Sequence, residues 1–403
     1  VAVAIGLVSL LGIILVGDVP LTLVAQRMVT SVDSFPLLAV PFFILAGNLM
    51  QQGGLSRRLI DFISSLVGTL AGGLALAAVL TCMFFAAISG SSAATAAAVG
   101  AVLIPAMQEK GYAKEFSSAV VASSGEMGVI IPPSIPMILY GVLASVSIAD
   151  MFLAGIVPGI LVACSVMLVA YFISRSRGYK GTSQTSPASL LQSFLGAFWA
   201  LLMPFIILGG IYGGVFTPTE AAVVAVVYGF LVGGIIYREF SFRDIPDILI
   251  RSARTTSVVM IIIASASLFG WILTREQVPQ SIAAVVMGIS DSPMVYLLLV
   301  NALLLIIGMF FESSAALVIL TPILLPIATS LGIDPVHFGI IMIVNLAVGM
   351  TTPPLGVNLF ITCNIAGIGI ESITRALLPF FLVLVIDILI ITYVPALSLA
   401  LPY

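Results

Sequence analysis

The sequence predicts an all-α membrane protein made of two inverted-topology repeats, each holding a re-entrant helical hairpin and a broken helix. Three observations predict it: a composition unable to present a wet surface, a second half that echoes the first, and a one-sided placement of basic residues. Of 403 residues, 61% are hydrophobic and only 8% are charged, whereas a soluble domain carries about a quarter charged residues. Apolar runs long enough to cross a bilayer recur along the chain, most plainly at 1–17, 36–51, 196–213, 219–237, 256–273 and 376–394. The first run lacks a basic n-region and a small-residue cleavage site, so it reads as a span and not as a signal peptide. The lipid bilayer is therefore the first partner. Cys82, Cys164 and Cys363 lie in apolar segments without metal-ligand spacing, and read as packing residues with no disulfide and no metal.

The second observation is the internal echo, at an offset of 221 to 223 residues. Gly47 falls opposite Gly270, Ser91-Ser92 opposite Ser313-Ser314, Pro105 opposite Pro326, and Gly111 opposite Gly332. Gly128 then matches Gly349, Pro132-Pro133 matches Pro353-Pro354, and Pro158 matches Pro379. Two weakly similar halves with interrupted hydrophobic segments at corresponding places are the signature of a secondary transporter. The first repeat spans 1–175, with a hairpin at about 73–108 and a broken helix at about 114–146. A linker follows at 176–194, and the second repeat spans 195–403, with a hairpin at about 293–330 and a broken helix at about 335–366. Two spans precede the element at 256–273 but only one precedes its counterpart at 36–51, so the chain reads as starting one helix late.

The third observation is orientation. Five net crossings per half, with the Ser-rich segment dipping in and returning, turn the second half upside down. This places Arg57, Arg58, Lys110, Lys114, Arg175, Arg177, Lys180, Arg238, Arg243, Arg251, Arg254 and Arg375 on one side, and only Arg27 and Arg275 on the other. The richer side is read as cytoplasmic, as is the polar linker.

Irregular backbone at membrane depth is tolerated only where protein buries it or a cavity is lined by it. Four such places occur: Ser89–Thr95 and Ile130–Pro136 in the first half, Phe311–Ala316 and Met350–Asn358 in the second. Tandem prolines cannot continue a helical ladder, so carbonyls near Gly128–Ile131 and Gly349–Thr352 are expected to lose their usual donors and become ligands for a hard cation. Half-helix N-termini beyond each break offer N–H groups to an anion. Cations on carbonyls beside an anion on helix N-termini describe a sodium–anion symporter. An isolated membrane Ser usually just bonds a carbonyl one turn back or packs helices; the duplicated Ser-Ser and Pro-Pro set points to function. Glu312 reads either as a half-helix cap or as part of the site, and Glu126 faces the same choice, a structural hydrogen bond being the first reading. Asp387 reads as packing or a cavity edge, and His337 as a structural residue at a surface. Thr217-Pro218-Thr219-Glu220 reads as a capping box with Pro at the first helical position.

The segments at 37–50, 89–95, 130–141, 213–222, 320–328, 332–339 and 352–360 together resemble one family. They are similar to the large permease (M) subunit of tripartite ATP-independent periplasmic (TRAP) transporters, over essentially the whole chain. The resemblance implies an elevator: a transport domain carrying both hairpins slides against a scaffold. It also implies a small four-helix membrane subunit as partner, a soluble periplasmic substrate-binding protein, a sodium gradient, and a small organic anion such as a dicarboxylate, sialic acid or sugar acid. Carried over by position, one sodium ion would use Ser89, Gly90, Ser91 and Ser92 with Gly128 and Pro132. A second would use Glu312, Ser313 and Ser314 with Gly349, Thr352 and Pro353. Substrate would lie between, near Thr95, Ser134 and Asn358. No organic cofactor and no nucleic acid are expected, and the location implied is the bacterial inner membrane. Such a chain could also be fused to the small subunit.

An intramembrane enzyme is not expected: Asp387 has no partner Asp, and His337 is placed near a surface. A sodium–carboxylate symporter working without a binding protein is the alternative within transporters, and a passive anion channel the alternative outside them. Sodium-dependent, concentrative uptake separates carrier from channel.

Overall fold

The computed structural model describes residues 2–16, 20–181, 187–282 and 292–402. Every regular element among them is helical, and nine helices are long and apolar enough to cross a membrane. The first half opens with α1 (Ala2–Val16), α2 (Thr22–Val32) and α3 (Ala39–Gln52). Helix α4 (Leu55–Val67) is amphipathic, burying Leu55, Leu59, Ile60 and Ile63 on one face. From its other face Arg58 pairs with Glu239 at 2.7 Å and lies 3.9 Å from the centroid of the Tyr237 ring.

A hairpin follows, made of α5 (Gly73–Ser89) and α6 (Ser92–Glu109). Helices α7 (Lys114–Gly125) and α8 (Met127–Ile130) run almost end to end, then break at Ile131–Ser134 before α9 (Ile135–Leu143). Long α10 (Ile148–Ser176) ends the first half.

Helix α11 (Pro187–Tyr212) starts inside the expected linker. Proline suits a first helical position because its missing N–H has no acceptor there; residues 182–186 of the linker lie outside the described residues. The capping box forms at the start of α12 (Pro218–Phe230), where Thr217 and Glu220 bond each other's backbone N–H. Helix α13 (Ile245–Arg275) begins well before the apolar run at 256–273, because Arg251 and Arg254 interrupt hydrophobicity but are good helix formers.

A second hairpin, α14 (Pro293–Phe310) and α15 (Ser313–Ser330), precedes α16 (Pro335–Gly349), a break, α17 (Val357–Ala366) and α18 (Ile370–Tyr393). A short α19 (Ala396–Leu399) follows. Helix starts at 73, 92, 114, 135 and 148 recur at 293, 313, 335, 357 and 370. Both breaks carry a cis peptide, at Pro132-Pro133 and at Pro353-Pro354.

The halves interlock. Helix α9 packs on the second hairpin's α15, and reciprocally α17 packs on the first hairpin's α6. Tyr140 Oη donates to the Pro335 carbonyl at 2.6 Å, and Asn358 Nδ2 donates to Ser92 Oγ at 2.6 Å. Ser165 donates to the carboxylate of Asp387, 222 residues away, so residues of like position in the two repeats meet near a pseudo-twofold axis. The broken helices form the core: α16 is buried at every position from Val336 to Gly349, as expected of a helix apolar all round. Helices α1–α4 and α11–α13 form an outer layer, α3 against α12, α4 against α11, and α1, α2 and α3 against α13.

One residue differs from its sequence reading, and one open reading is decided. His337 is not at a surface; it is 2% exposed, its Nε2 3.2 Å from the Thr392 carbonyl, because the end of α18 covers the start of α16. Asp387, read as packing or a cavity edge, is likewise 2% exposed and hydrogen-bonded, so of the two readings packing holds.

Candidate functional site

Each hairpin tip docks onto a helix break. At the first, Ser91 caps α6, its Oγ accepting from Ala94 N, while Gly90, with φ of 60°, turns the chain. The Gly90 carbonyl accepts from Ile135 N, the first residue of α9, at 3.2 Å. Gly128 presses on the tip so closely that a Cβ there would stand 2.4 Å from the Ser91 carbonyl oxygen and 2.6 Å from Thr95 Oγ1. Ser89 Oγ and Thr95 Oγ1 are 2.7 Å apart, and Thr95 Oγ1 donates to the Ser91 carbonyl at 2.9 Å. The structure thus brings Ser89, Gly90, Ser91 and Ser92 together with Gly128 and the Pro132 break.

At the second tip Glu312 is the N-cap of α15. Its Oε2 accepts from Ser314 N at 2.9 Å and Ala315 N at 3.3 Å, and its Oε1 accepts from Ser314 Oγ at 3.0 Å. The cap reading of Glu312 is therefore realised, and Glu312 also faces the cavity described below. Ser313 Oγ reaches Glu312 Oε1 and, at 3.7 Å, the sulfur of Met350. Gly356 N donates to the Met309 carbonyl at 3.1 Å, tying the break to the hairpin, and a Cβ on Gly349 would stand 2.5 Å from Gly308 Cα. Thr352 Oγ1 donates back to Val348 O.

Not every freed carbonyl stays free. Ser134 Oγ donates to Val129 O at 2.6 Å, and Asn358 N donates to Met350 O at 3.1 Å. Buried small polar side chains in an apolar core take whatever acceptor lies nearest, because an unpaired one costs about 1–3 kcal/mol. This places the three expected substrate residues. Thr95, Ser134 and Asn358 are each 0% exposed with bonded side chains, and none lines the cavity. They support the tips. Asn358 leaves one group unpaired: its Oδ1 is buried without a hydrogen-bond partner. Glu126 is 0% exposed; its Oε2 accepts from Thr351 Oγ1 at 3.3 Å, and its Oε1 has no partner.

Between the tips lies a cavity of about 760 Å³. Gly90, Ser91, Val129 and Ile135 line it from the first tip and break, Phe311, Glu312 and Ser314 from the second tip, and α13 from Arg254 to Ile262. A niche of about 240 Å³ adjoins it, lined by Asn48, Gln51, Ser89, Ser91 and Thr255. Arg254 and Thr255 are functional candidates that motif reasoning missed. The available signal is an arginine ten residues into a 31-residue helix, which orientation alone already explains.

The family model described as "Tripartite ATP-independent periplasmic transporter, DctM component" matches residues 1–397. Among similar proteins, the isethionate TRAP transporter permease protein DctMQ of Oleidesulfovibrio alaskensis is 48% identical over 99% of this chain, which spans 63% of that protein's length. The C4-dicarboxylate TRAP transporter large permease protein DctM of Pseudomonas aeruginosa is 46% identical over 99% of this chain and 93% of its own length. The sialic acid TRAP transporter large permease protein SiaM of Vibrio cholerae is 40% identical over 98% of this chain and 92% of its own length. The solved structure of the YdaH transporter of Alcanivorax borkumensis superimposes with a TM-score of 0.68 at 18% identity, covering 92% of this chain and 88% of that one, a likeness of fold. This chain is a multi-pass membrane protein that belongs to the DctM family, the large permease components of tripartite ATP-independent periplasmic transporters.

Proposed function

We propose that this chain is the transport subunit of a sodium-coupled symporter that takes up a small organic acid across the bacterial inner membrane. The observation that carries the reading is that both hairpin tips, together with the first helix break, converge on one cavity of about 760 Å³. One sodium ion binds at the first tip, among Ser89–Ser92 and the Gly128–Pro132 break, and a second at Glu312–Ser314 with Gly349, Thr352 and Pro353. The unpaired Asn358 Oδ1, buried beside Ser92, supports the first of these: a buried oxygen without a donor is a ready ligand for a hard cation. Substrate occupies the cavity against Ser91 and Ser314 and the N-terminal ends of α6 and α15. The hairpins and broken helices move as one body against α1–α4 and α11–α13, in elevator fashion.

Related permeases are named for isethionate, C4-dicarboxylates, sialic acid and 2,3-diketo-L-gulonate, all small and anionic. Partners are a small membrane subunit and a periplasmic binding protein. Vesicles reconstituted with all three components and offered a panel of labelled acids test the reading. Uptake of one acid only with its binding protein present is the expected result. Equal uptake by the large subunit alone would favour a binding-protein-independent symporter instead.

A further inference from the structure

One wall of the cavity comes from the outer layer, from α13 together with Ala2 and Val3 of α1. From Arg254 to Ile262, α13 closes that side, and Arg254 and Thr255 are exposed there. Among the described residues, two formally charged side chains line the cavity: Arg254, and the Glu312 carboxylate that caps α15. Without Arg254, an anion entering between the tips would meet a carboxylate as the only full charge. Among the described residues, no carboxylate lies within 4.0 Å of the Arg254 guanidinium. Its charge is thus unpaired by any described carboxylate. Arg251, one turn earlier on α13, lines neither the cavity nor the niche, so a basic collar at this end of the helix does not need Arg254 at the cavity.

We propose that Arg254 binds the anionic group of the transported acid in this conformation, as part of an anion subsite belonging to the outer layer. The inference rests on the reading that the chain carries an organic anion and that the hairpin layer moves against α13. A guanidinium presents two parallel N–H donors that match a carboxylate or sulfonate, and it stays charged at every physiological pH. The surroundings fit the rest of such a molecule. Thr255 lines both cavity and niche, and Asn48 and Gln51 line the niche with Ser89 and Ser91, Asn48 Nδ2 donating to Ser252 Oγ at 2.8 Å. These groups offer both donors and acceptors to a hydroxyl or keto oxygen. Asn48, Gln51, Arg254 and Thr255 all stand on α3 or α13, not on the hairpins. When the tips leave, these contacts stay behind. The subsite therefore acts on one side of the membrane only, the side on which α13 begins, and sets affinity there without setting it on the other.

The test uses the complete three-part transporter in membrane vesicles of both orientations, with Arg254→Gln and Arg254→Lys. The reading is the KM for a labelled transported acid from each side at saturating sodium. Losing a hydrogen-bonded charge partner weakens binding by roughly tenfold. R254Q is expected to raise KM by that factor on the side where α13 begins and to leave the opposite side within twofold. R254K is expected to recover part of the loss, since it restores charge but not the paired donors. Added salt is expected to raise the wild-type KM on that side and to leave R254Q unmoved. Unchanged KM on both sides in R254Q would overturn the inference, as would an equal rise on both. Should R254Q fail to reach the membrane, R254K decides: a one-sided rise supports the subsite and no rise overturns it. A wild-type transporter that carried no organic anion at all would instead remove the proposed function, a failure visible before any variant is made.

Discussion

Gly128→Ala adds one methyl group at the point where the first hairpin tip meets the first break. The added carbon would stand 2.4 Å from the Ser91 carbonyl oxygen, 2.6 Å from Thr95 Oγ1 and 2.7 Å from the Ser91 carbonyl carbon. Ordinary contact begins near 3.4 Å, so tip and break must separate by about 1 Å. Two of the three obstructing atoms are backbone, which cannot swing aside as a side chain end can. Overpacking of this kind costs about 1–3 kcal/mol, equivalent to roughly fivefold to 150-fold if it falls wholly on sodium binding. A matched control exists: Gly209 lies within α11 with nothing inside 4 Å of its would-be Cβ, so Gly209→Ala should be neutral or slightly stabilising. The assay is sodium-dependent thermal stabilisation of the purified protein, together with the sodium concentration giving half-maximal uptake. Gly128→Ala is expected to raise that concentration by at least fivefold, and Gly349→Ala, meeting Gly308 backbone at 2.5 Å, to do likewise. If Gly128→Ala matched Gly209→Ala in sodium dependence, the contact would be unrelated to ion binding and the first site would be misplaced.

Three further outcomes follow from the same geometry. Ser91→Ala and Ser313→Ala should raise the sodium requirement about tenfold and let substrate affinity recover at high sodium, because bound cation and anion are thermodynamically linked; an unchanged sodium titration in both would mean that the tips are structural only. Asp387→Ala, which strips a buried acceptor from Ser165, and His337→Ala, which frees the Thr392 carbonyl, should lower thermal stability by about 1–3 kcal/mol each with sodium dependence intact. Cysteines placed singly at Arg177 and Asp334 should react oppositely to an impermeant reagent on spheroplasts, position 334 labelled and 177 protected, and the reverse pattern would defeat the inverted arrangement of the repeats.

Much of the fold was legible in the sequence because its strongest signals are ones that lipid enforces. Apolar runs and paired Pro-Pro breaks survive in any membrane helix bundle, and the five helix starts that recur between the halves follow the spacing of Ser91-Ser313 and Pro132-Pro353. Legibility fell where an answer depended on which face of a helix met which neighbour. His337 follows Asp334-Pro335, an ordinary surface start for a helix, and nothing local says that Thr392 will cover it. Thr95, Ser134 and Asn358 carry the right chemistry for substrate, yet their bonds to Ser89, Val129 and Ser92 turn them inward. Arg254 was hidden for the opposite reason: a basic residue near a helix end already has an adequate explanation in topology.

Concentrative uptake driven by sodium is the most direct test of this mechanism. Proteoliposomes holding the complete transporter, loaded with sodium-free buffer, receive a labelled acid bound to its periplasmic protein, with sodium outside. Accumulation above the external free concentration is expected, lost when sodium is equalised across the membrane and lost in Gly128→Ala at low sodium. Uptake that stops at equal concentrations, or that proceeds identically without a sodium gradient, would contradict it.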